Sequence, residues 1–186
     1  MKFLQFVSIL LCVSAMQVSY AKISYGDTYK KQVDNYVATW LEKNPKIVKK
    51  YLLANINIPY CCFMYGTILL QEKNFTQADV YITKAANAEL PEALNSIGDG
   101  YYSGDIRPKD HVKALEYYRW AAKKGYGPAQ FNAGVVFLKY AKTVKGVRKA
   151  IYWLNKAINN PEMANLKPYV LISKANAVDK LKSFKK

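Results

Sequence analysis

The sequence predicts an all-α protein built as a solenoid of helix pairs. One sign is an eight-residue phrase with alanine at both ends, an aromatic residue inside and a cation in its second half. The phrase occurs at residues 78–85, 114–121 and 150–157. A second sign is a small residue five positions before a glycine, which precedes each phrase. These glycines, Gly66, Gly98 and Gly134, lie 32 and 36 residues apart, which is the period of helix-turn-helix arrays.

The first 21 residues are predicted to be a secretory signal peptide. Lys2 precedes a mostly apolar run from residue 3 to 13, and Ser19-Tyr20-Ala21 places small residues where a signal peptidase cuts. The run is shorter than the roughly 20 residues of a membrane span, and no later stretch is apolar enough to cross a bilayer. We therefore expect cleavage after Ala21 and a periplasmic or secreted protein without an integral membrane span.

Residues 22–58 are predicted to form an N-terminal capping helix pair. Apolar residues recur at helical spacing from Tyr29 to Glu42, and the Asn-Pro sequence that follows ends this helix. Pro45 can open a second helix, which runs to Ala54. The pair lacks the alanine and glycine signature, so we interpret it as a cap or a degenerate repeat.

Residues 59–163 are predicted to hold three repeats, each with a first and a second helix. The repeats cover about 60–90, 91–126 and 127–160. In the second repeat, Asp110 is placed to cap the second helix and Gly125 to end it. The third repeat has Gly146 at the position of Asp110, so its cap is not evident from the sequence.

Residues 164–186 are predicted to form a C-terminal capping helix and a basic tail. Ala164 and Tyr169 fall where a further copy would carry its small residue and its glycine. We interpret the segment through Leu181 as a helix that closes the array with a charged outer face, as repeat arrays require for solubility.

The second repeat closely resembles a Sel1-like repeat, the longer relative of the tetratricopeptide repeat. The matching positions are Ala93, Gly98, Tyr102, Gly104, Ile106, Asp110, Ala114, Tyr117, Tyr118, Ala121, Ala122 and Gly125. The resemblance covers roughly residues 60–164 and is weaker in the first and third copies. It implies a right-handed superhelix of antiparallel helix pairs. It also implies an adaptor that holds a partner peptide or domain in a concave groove lined by the first helices.

Partner-binding residues are expected on the first helices, at positions turned away from the second helices. Their offset from the glycines predicts that the groove presents Tyr60, Phe63, Thr67, Asn95, Asp99, Tyr102, Phe131, Val135 and Leu138. Exposed apolar groups at a concave site usually mark a partner surface. For the last three residues the alternative is that the C-terminal helix folds over them and buries them.

No catalytic, cofactor-binding or metal-binding residues are expected. His111, the single histidine, follows the predicted cap residue, where we interpret it as an exposed surface group. It has no cysteine or histidine partner at ligand spacing. Cys61 and Cys62 are the two cysteines beyond the signal peptide. We interpret them as buried or half-buried thiols, with a redox or intermolecular role as the alternative.

Positive charge is concentrated at the C-terminal end of the chain. The net charge is +15, and residues 139–186 carry twelve cations against two acids, whereas residues 51–138 are balanced at eight of each. Such an end attracts nucleic acid, anionic lipid or an acidic protein. Export argues against nucleic acid, and a solvated lysine-rich surface without a partner is the alternative.

The leading interpretation is an exported adaptor or scaffold that binds another protein in its groove, with the basic end steering an acidic partner. One alternative is a periplasmic immunity protein that neutralises a secreted toxin. Another, from a different class, is a hydrolase that acts on cell-wall material. The missing cysteine pairs and the missing catalytic residues count against the hydrolase.

Overall fold

In the computed structural model, which describes residues 27–184, every regular element of that range is helical. The prediction of an all-α solenoid is therefore confirmed, while the predicted signal peptide lies outside the described residues. The described range divides into two compact units, with the division between residues 48 and 49. Across the described range, no helix combines the length and the hydropathy needed to span a bilayer.

Nine α-helices and one 3-10 helix follow one another along the described range. Their bounds are α1 Asp27–Trp40, α2 Pro45–Ala54, α3 Pro59–Gln71, α4 Phe75–Asn87, α5 Pro91–Ser103, α6 His111–Lys123, α7 Gly127–Tyr140, α8 Val144–Ile158, the 3-10 helix Pro161–Leu166 and α9 Lys167–Ser183. Helices α3 and α4, α5 and α6, and α7 and α8 form three packed pairs. Prolines open α2, α3 and α5 in their first turn, where the missing amide proton has no intrahelical partner in any case.

The repeated phrase forms the contact line between the two helices of each pair, which we call the seam. Seven residues are two helical turns, so the alanines at the ends of one phrase lie on the same side of the second helix. All six are completely buried: Ala78, Ala85, Ala114, Ala121, Ala150 and Ala157. The small residues that precede the three glycines are also completely buried: Cys61, Ala93 and Ala129.

The three glycines complete the seam from the first helices. A Cβ atom on Gly98 would lie 2.7 Å from the ring of Tyr118, and one on Gly134 would lie 2.7 Å from the side chain of Leu154. Gly66 meets Ile82 in the same way, at 2.8 Å. Each facing residue stands four positions after the first alanine of its phrase. Any larger residue at these glycines must push the two helices apart or displace the facing side chain.

The predicted cap of the second repeat is confirmed, and the third repeat has a cap that the sequence comparison missed. Asp110 accepts hydrogen bonds from the backbone N–H groups of Val112 and Lys113, both at 3.0 Å. In the third repeat, the Thr143 hydroxyl accepts from the N–H of Gly146 at 3.2 Å. Gly146 stands at the repeat position of Asp110, but the capping side chain comes three residues earlier because the connection before α8 is shorter.

Helix α9 closes the array over a small apolar core. Its inward residues Val170 and Ala177 form a buried cluster with Val147 and Leu154 of α8 and with Met163 of the 3-10 helix. The predicted charged outer face is wrong for the first half of α9, where three apolar residues are 47–63% exposed: Tyr169, Leu171 and Ile172. The periodicity of this helix does not reveal its orientation because apolar residues occur on both sides.

Candidate partner-binding face

We call the surface that carries the predicted groove positions on α3, α5 and α7 the first-helix face. Six of these positions are half-buried: Phe63, Thr67, Tyr102, Phe131, Val135 and Leu138. Asp99 is exposed, whereas Tyr60 and Asn95 are only 7% and 8% exposed. The expectation that Tyr60 and Asn95 are presented to a partner is therefore corrected. Asn95 lies among the side chains of α5 and α7, where its amide nitrogen donates to Asp99 and its amide oxygen accepts from Asn132.

Hydrogen bonds join α5 to α7 at the centre of this face. The Asp99 carboxylate accepts from the Tyr118 hydroxyl at 2.7 Å and from the Asn95 amide at 3.0 Å. The Asn132 amide donates to Asn95 at 3.1 Å and to Asp99 at 3.4 Å. We call these four residues the Asp99 cluster. Every donor to the carboxylate in the cluster is a neutral group.

Burial dominates the electrostatics of the Asp99 cluster. Although Asp99 keeps an exposed surface, the protein packed around its carboxyl raises its pKa, and the hydrogen bond from Tyr118 lowers it in part. Burial also raises the pKa of Tyr118 far above its usual value, and the negative charge of Asp99 raises it further. Tyr118 therefore stays a hydrogen-bond donor at any physiological pH.

Tyr118 reaches the first-helix face from α6 because Gly98 of the seam has no side chain in its way. The ring of Tyr118 lies against Gly98, one residue before Asp99, so the missing side chain leaves room for an aromatic ring there. The other two repeats have Ile82 and Leu154 in the place of Tyr118. At the position of Asp99, these repeats carry Thr67 and Val135. The acid and its tyrosine donor therefore occur together in one repeat only.

Aromatic rings and one cation lie at the C-terminal end of α5 and α7. The ring of His111 stacks on Tyr140 at 4.4 Å between centroids and lies 5.7 Å from Tyr102. The Lys139 ammonium donates to the Tyr102 hydroxyl at 3.1 Å and lies over both tyrosine rings. The prediction that His111 is an exposed surface group is wrong, because these two rings half-bury it. Its Nδ1 atom has no hydrogen-bond partner among residues 27–184.

The three apolar groove positions on α7 do not behave alike: the C-terminal helix covers two of them in part, and the third remains on the first-helix face. Phe131 and Leu138 pack against the buried cluster that α9 completes, and the Lys180 ammonium of α9 donates to the Leu138 carbonyl at 3.0 Å. The C-terminal helix therefore covers these two residues in part. Val135 does not belong to that packing group and stays half-buried on the face.

Sequence reasoning missed four residues of the first-helix face: Tyr118, His111, Asn132 and Tyr140. In the sequence, Tyr118 is recognisable only as a position of the repeat pattern, and in the structure its ring occupies a seam position. The one available signal was the joint occurrence of Asp99 and Tyr118 in the same repeat. His111 and Tyr140 come together because the loop before α6 folds back on the end of α5, where the Asp110 N–H donates to the Tyr101 carbonyl at 2.9 Å.

The structure shows little further chemistry around this face. Within residues 27–184, no three His, Cys, Asp or Glu side chains lie close enough to hold a metal ion. Cys61 and Cys62 are buried thiols, and the Cys62 thiol donates to the Tyr81 carbonyl at 3.3 Å. Burial raises the pKa of Cys62, which disfavours the reactive thiolate. An open cavity of about 510 Å³ beside Tyr152 includes none of the predicted groove positions.

The comparisons with known proteins agree with the repeat boundaries read from the helices. The family model of the Sel1 repeat matches residues 91–126 and 127–161, which are the helix pairs α5–α6 and α7–α8 with their connections. None of the curated proteins matches the sequence.

Two solved structures are similar in fold. A Sel1 repeat protein from Oxalobacter formigenes is 22% identical with a TM-score of 0.52, over 64% of this chain and 96% of its own length. The protein c5321, a protective antigen present in uropathogenic Escherichia coli strains that displays an SLR fold, is 18% identical with a TM-score of 0.65. That match covers 82% of this chain and 35% of c5321, so this chain spans about a third of that protein. At such identities the likeness concerns the fold alone.

Proposed function

We propose that this chain, which is a Sel1-like repeat protein, is an exported interaction module whose first-helix face binds a partner protein or peptide. Sel1 repeats form helical arrays that serve protein–protein interaction. The observation that carries the proposal for this face is a contrast between two sets of positions. Small buried residues recur at matched seam positions in all three helix pairs, whereas the face carries a different set of residues on each first helix.

The composition of the face suits a protein ligand. Half-buried aromatic rings such as Phe63 and Tyr102 provide contact area with few rotatable bonds, as is typical of residues that dominate binding energy. The Asp99 cluster and Lys139 provide oriented polar groups beside them. This mixture of fixed aromatic and polar groups is typical of a specific interface.

The proposal includes an acidic partner and excludes nucleic acid as the ligand. Residues 139–186 contain twelve cations and only two acids, so this end of the chain generates a positive field. Such a field increases the rate of association with an acidic protein and acts over about 10 Å at 0.1 M salt. We therefore expect the association rate to fall steeply as the salt concentration rises.

The proposal also includes a periplasmic or secreted location, which the sequence pattern of residues 1–21 supports. The mature protein purified from its own cells should begin at Lys22. N-terminal sequencing measures this directly, and a mature protein that retains the first 21 residues would contradict the export prediction.

Site-specific photo-crosslinking tests the proposed face. A photoreactive amino acid is introduced one position at a time at Thr67, Tyr102 and Val135, one on each first helix. The matched control positions are Val80, Val112 and Tyr152, which are exposed on the second helices. After irradiation of living cells, mass spectrometry identifies the crosslinked proteins.

We expect the same partner to crosslink at all three first-helix positions and at none of the control positions. The triple variant Phe63→Ala, Tyr102→Ala and Val135→Ala should then lose the partner, because it removes aromatic and apolar contacts without touching the seam. Crosslinks concentrated on the second helices, or a triple variant that binds the partner as well as the unchanged protein, would contradict the proposal.

A further inference from the structure

We propose that Asp99 is a specificity-determining residue that receives a lysine or arginine side chain of the bound segment. The inference rests on the proposed function, since it concerns the chemistry of a ligand on the same first-helix face. It goes further by assigning a charged contact to one named carboxylate.

The carboxylate of Asp99 is held in a fixed orientation but its charge is not neutralised. Its three donors, Tyr118, Asn95 and Asn132, are all neutral, and within residues 27–184 no lysine or arginine forms an ion pair with it. This is unusual in a chain with a net charge of +15, in which cations outnumber acids by about two to one. When ionised, the carboxylate therefore has no cationic partner within the described range, on a residue that keeps an exposed surface.

The hydrogen bonds leave room for one more donor. Ionised carboxylate oxygens together offer about four acceptor sites. In Asp99, the Oδ1 atom accepts from Tyr118 and Asn132, whereas the Oδ2 atom accepts from Asn95 alone. One acceptor site therefore remains on Oδ2, on a residue that is exposed on the first-helix face. A charged donor from a partner would form the short, strong kind of hydrogen bond that ionised pairs make.

The arrangement is specific to the middle repeat and depends on several residues. At the position of Asn95 the other repeats have Phe63 and Phe131, and at the position of Asp99 they have Thr67 and Val135. The face therefore has a charged centre between two uncharged ends that each carry a phenylalanine. A partner segment that fits it has a basic side chain flanked by apolar residues.

The energetics favour a role in binding over a role in folding. Burial of the carboxyl raises the pKa of Asp99, which means that the charged form is less stable in the folded protein than in water. A cation from a partner would offset that loss on binding. A partner with a net negative charge can still place one basic side chain at Asp99. Its net charge acts over long distances during association, whereas the single lysine or arginine acts only at the contact.

Selection from a random peptide library tests the assignment. A phage-displayed library of linear peptides is panned on the full chain in about 0.3 M salt, which screens the non-specific attraction of acidic peptides to a basic protein. The selected peptides are synthesised, and their affinities are measured by fluorescence anisotropy. The variants are Asp99→Asn, which keeps the shape of the side chain, and Asp105→Asn, an exposed loop carboxylate that serves as the matched control.

We expect the selected peptides to share a lysine or arginine and to bind Asp99→Asn about tenfold more weakly, the factor that corresponds to one charge-assisted hydrogen bond. Asp105→Asn should bind as the unchanged protein does. Replacing the shared basic residue of the peptide by glutamine should weaken binding to the unchanged protein by about the same factor and leave binding to Asp99→Asn unaltered.

The two proposals fail in different ways. Peptides that bind the unchanged protein and Asp99→Asn with equal affinity, while Tyr102→Ala weakens them, would overturn the assignment of Asp99 and leave the first-helix face in place. A library from which no peptide binds the unchanged protein would overturn both. Selected peptides that share an acidic residue in place of a basic one would overturn the assignment as well.

Discussion

The seam and the first-helix face share the helices α3, α5 and α7 but differ in how their residues recur. Seam residues are alike in the three repeats, whereas face residues differ from repeat to repeat. At the seam, small residues recur at matched positions in all three pairs and are buried completely, so that the two helices of a pair approach closely. On the face, matched positions carry a phenylalanine, an asparagine and another phenylalanine, or a threonine, an aspartate and a valine. Constancy at the seam follows from close packing. Variation on the face leaves each repeat free to contribute a different contact.

The largest expected effect comes from breaking the seam. Gly134→Leu should lower the free energy of unfolding by about 3 kcal/mol, because the new side chain collides with Leu154 and the backbone of α8. Thr67→Leu places the same final side chain on the first-helix face and should change stability by less than about 1 kcal/mol. Urea unfolding of both variants measures the difference. Equal losses would show that the face is packed as tightly as the seam.

An intermediate loss of stability is expected when the contact between Arg107 and α4 is removed, a contact that lies outside both the seam and the first-helix face. The guanidinium of Arg107, in the loop before α6, donates to Asp79 and to the Thr83 hydroxyl of α4 and lies over the Tyr101 ring. It therefore ties the second repeat to the first. Arg107→Ala should lower the free energy of unfolding by about 1–2 kcal/mol, as loss of a partly buried charge-assisted hydrogen bond does.

The matched control for Arg107 is Lys113→Ala, which removes another cation over the Tyr101 ring from an exposed position. Its effect on urea unfolding should stay below about 0.5 kcal/mol. If both variants lose the same free energy, the contact between the repeats does not depend on the hydrogen bonds of Arg107.

The smallest effect on the free energy of unfolding should come from Asp99→Asn, and this effect should depend on pH. The pKa of Asp99 is raised in the folded protein, so the folded state holds this proton to a higher pH than the unfolded chain does, in which the pKa is about 3.9. Stability is therefore lost as the pH rises through the folded pKa. The stability of Asp99→Asn relative to the unchanged protein should therefore rise as the pH rises from below the unfolded pKa to pH 7, because the amide does not ionise.

Tyr118→Phe sharpens the same measurement. The Tyr118 hydrogen bond lowers the pKa of Asp99, so its loss should raise that pKa further. The variant should then lose more stability between acidic and neutral pH than the unchanged protein loses. Urea unfolding at several pH values measures both variants. A stability difference for Asp99→Asn that is the same at acidic and neutral pH would contradict the expected desolvation of the carboxyl.

The sequence predicts the small residues of the seam well, because these residues are recognised by their spacing along the chain. Alanines seven residues apart share a side of any helix, and a glycine at a fixed offset meets them wherever the helices pair. The cap by Asp110 followed equally from local chemistry. The sequence could not reveal that Tyr118 crosses from the second helix to Asp99, since this contact depends on how two helices are placed in space.

Two other predictions, the charged outer face of α9 and the exposure of His111, were wrong because they too depend on contacts between distant parts of the chain. The outer face of α9 carries Tyr169 and Ile172, and local periodicity cannot distinguish its outer side from the inner side that packs on α8. His111 was assigned to the surface because it follows a cap residue. It is half-buried in part by Tyr140, which lies 29 positions further along the chain.

The central claim is that the first-helix face binds the partner while the seam holds the fold. Its most direct test is the affinity of Tyr102→Ala for the partner identified by crosslinking, measured together with its free energy of unfolding. We predict binding that is weaker by about tenfold or more, as for a dominant aromatic contact, with stability within about 1 kcal/mol of the unchanged protein. Unaltered affinity at unaltered stability would contradict the claim.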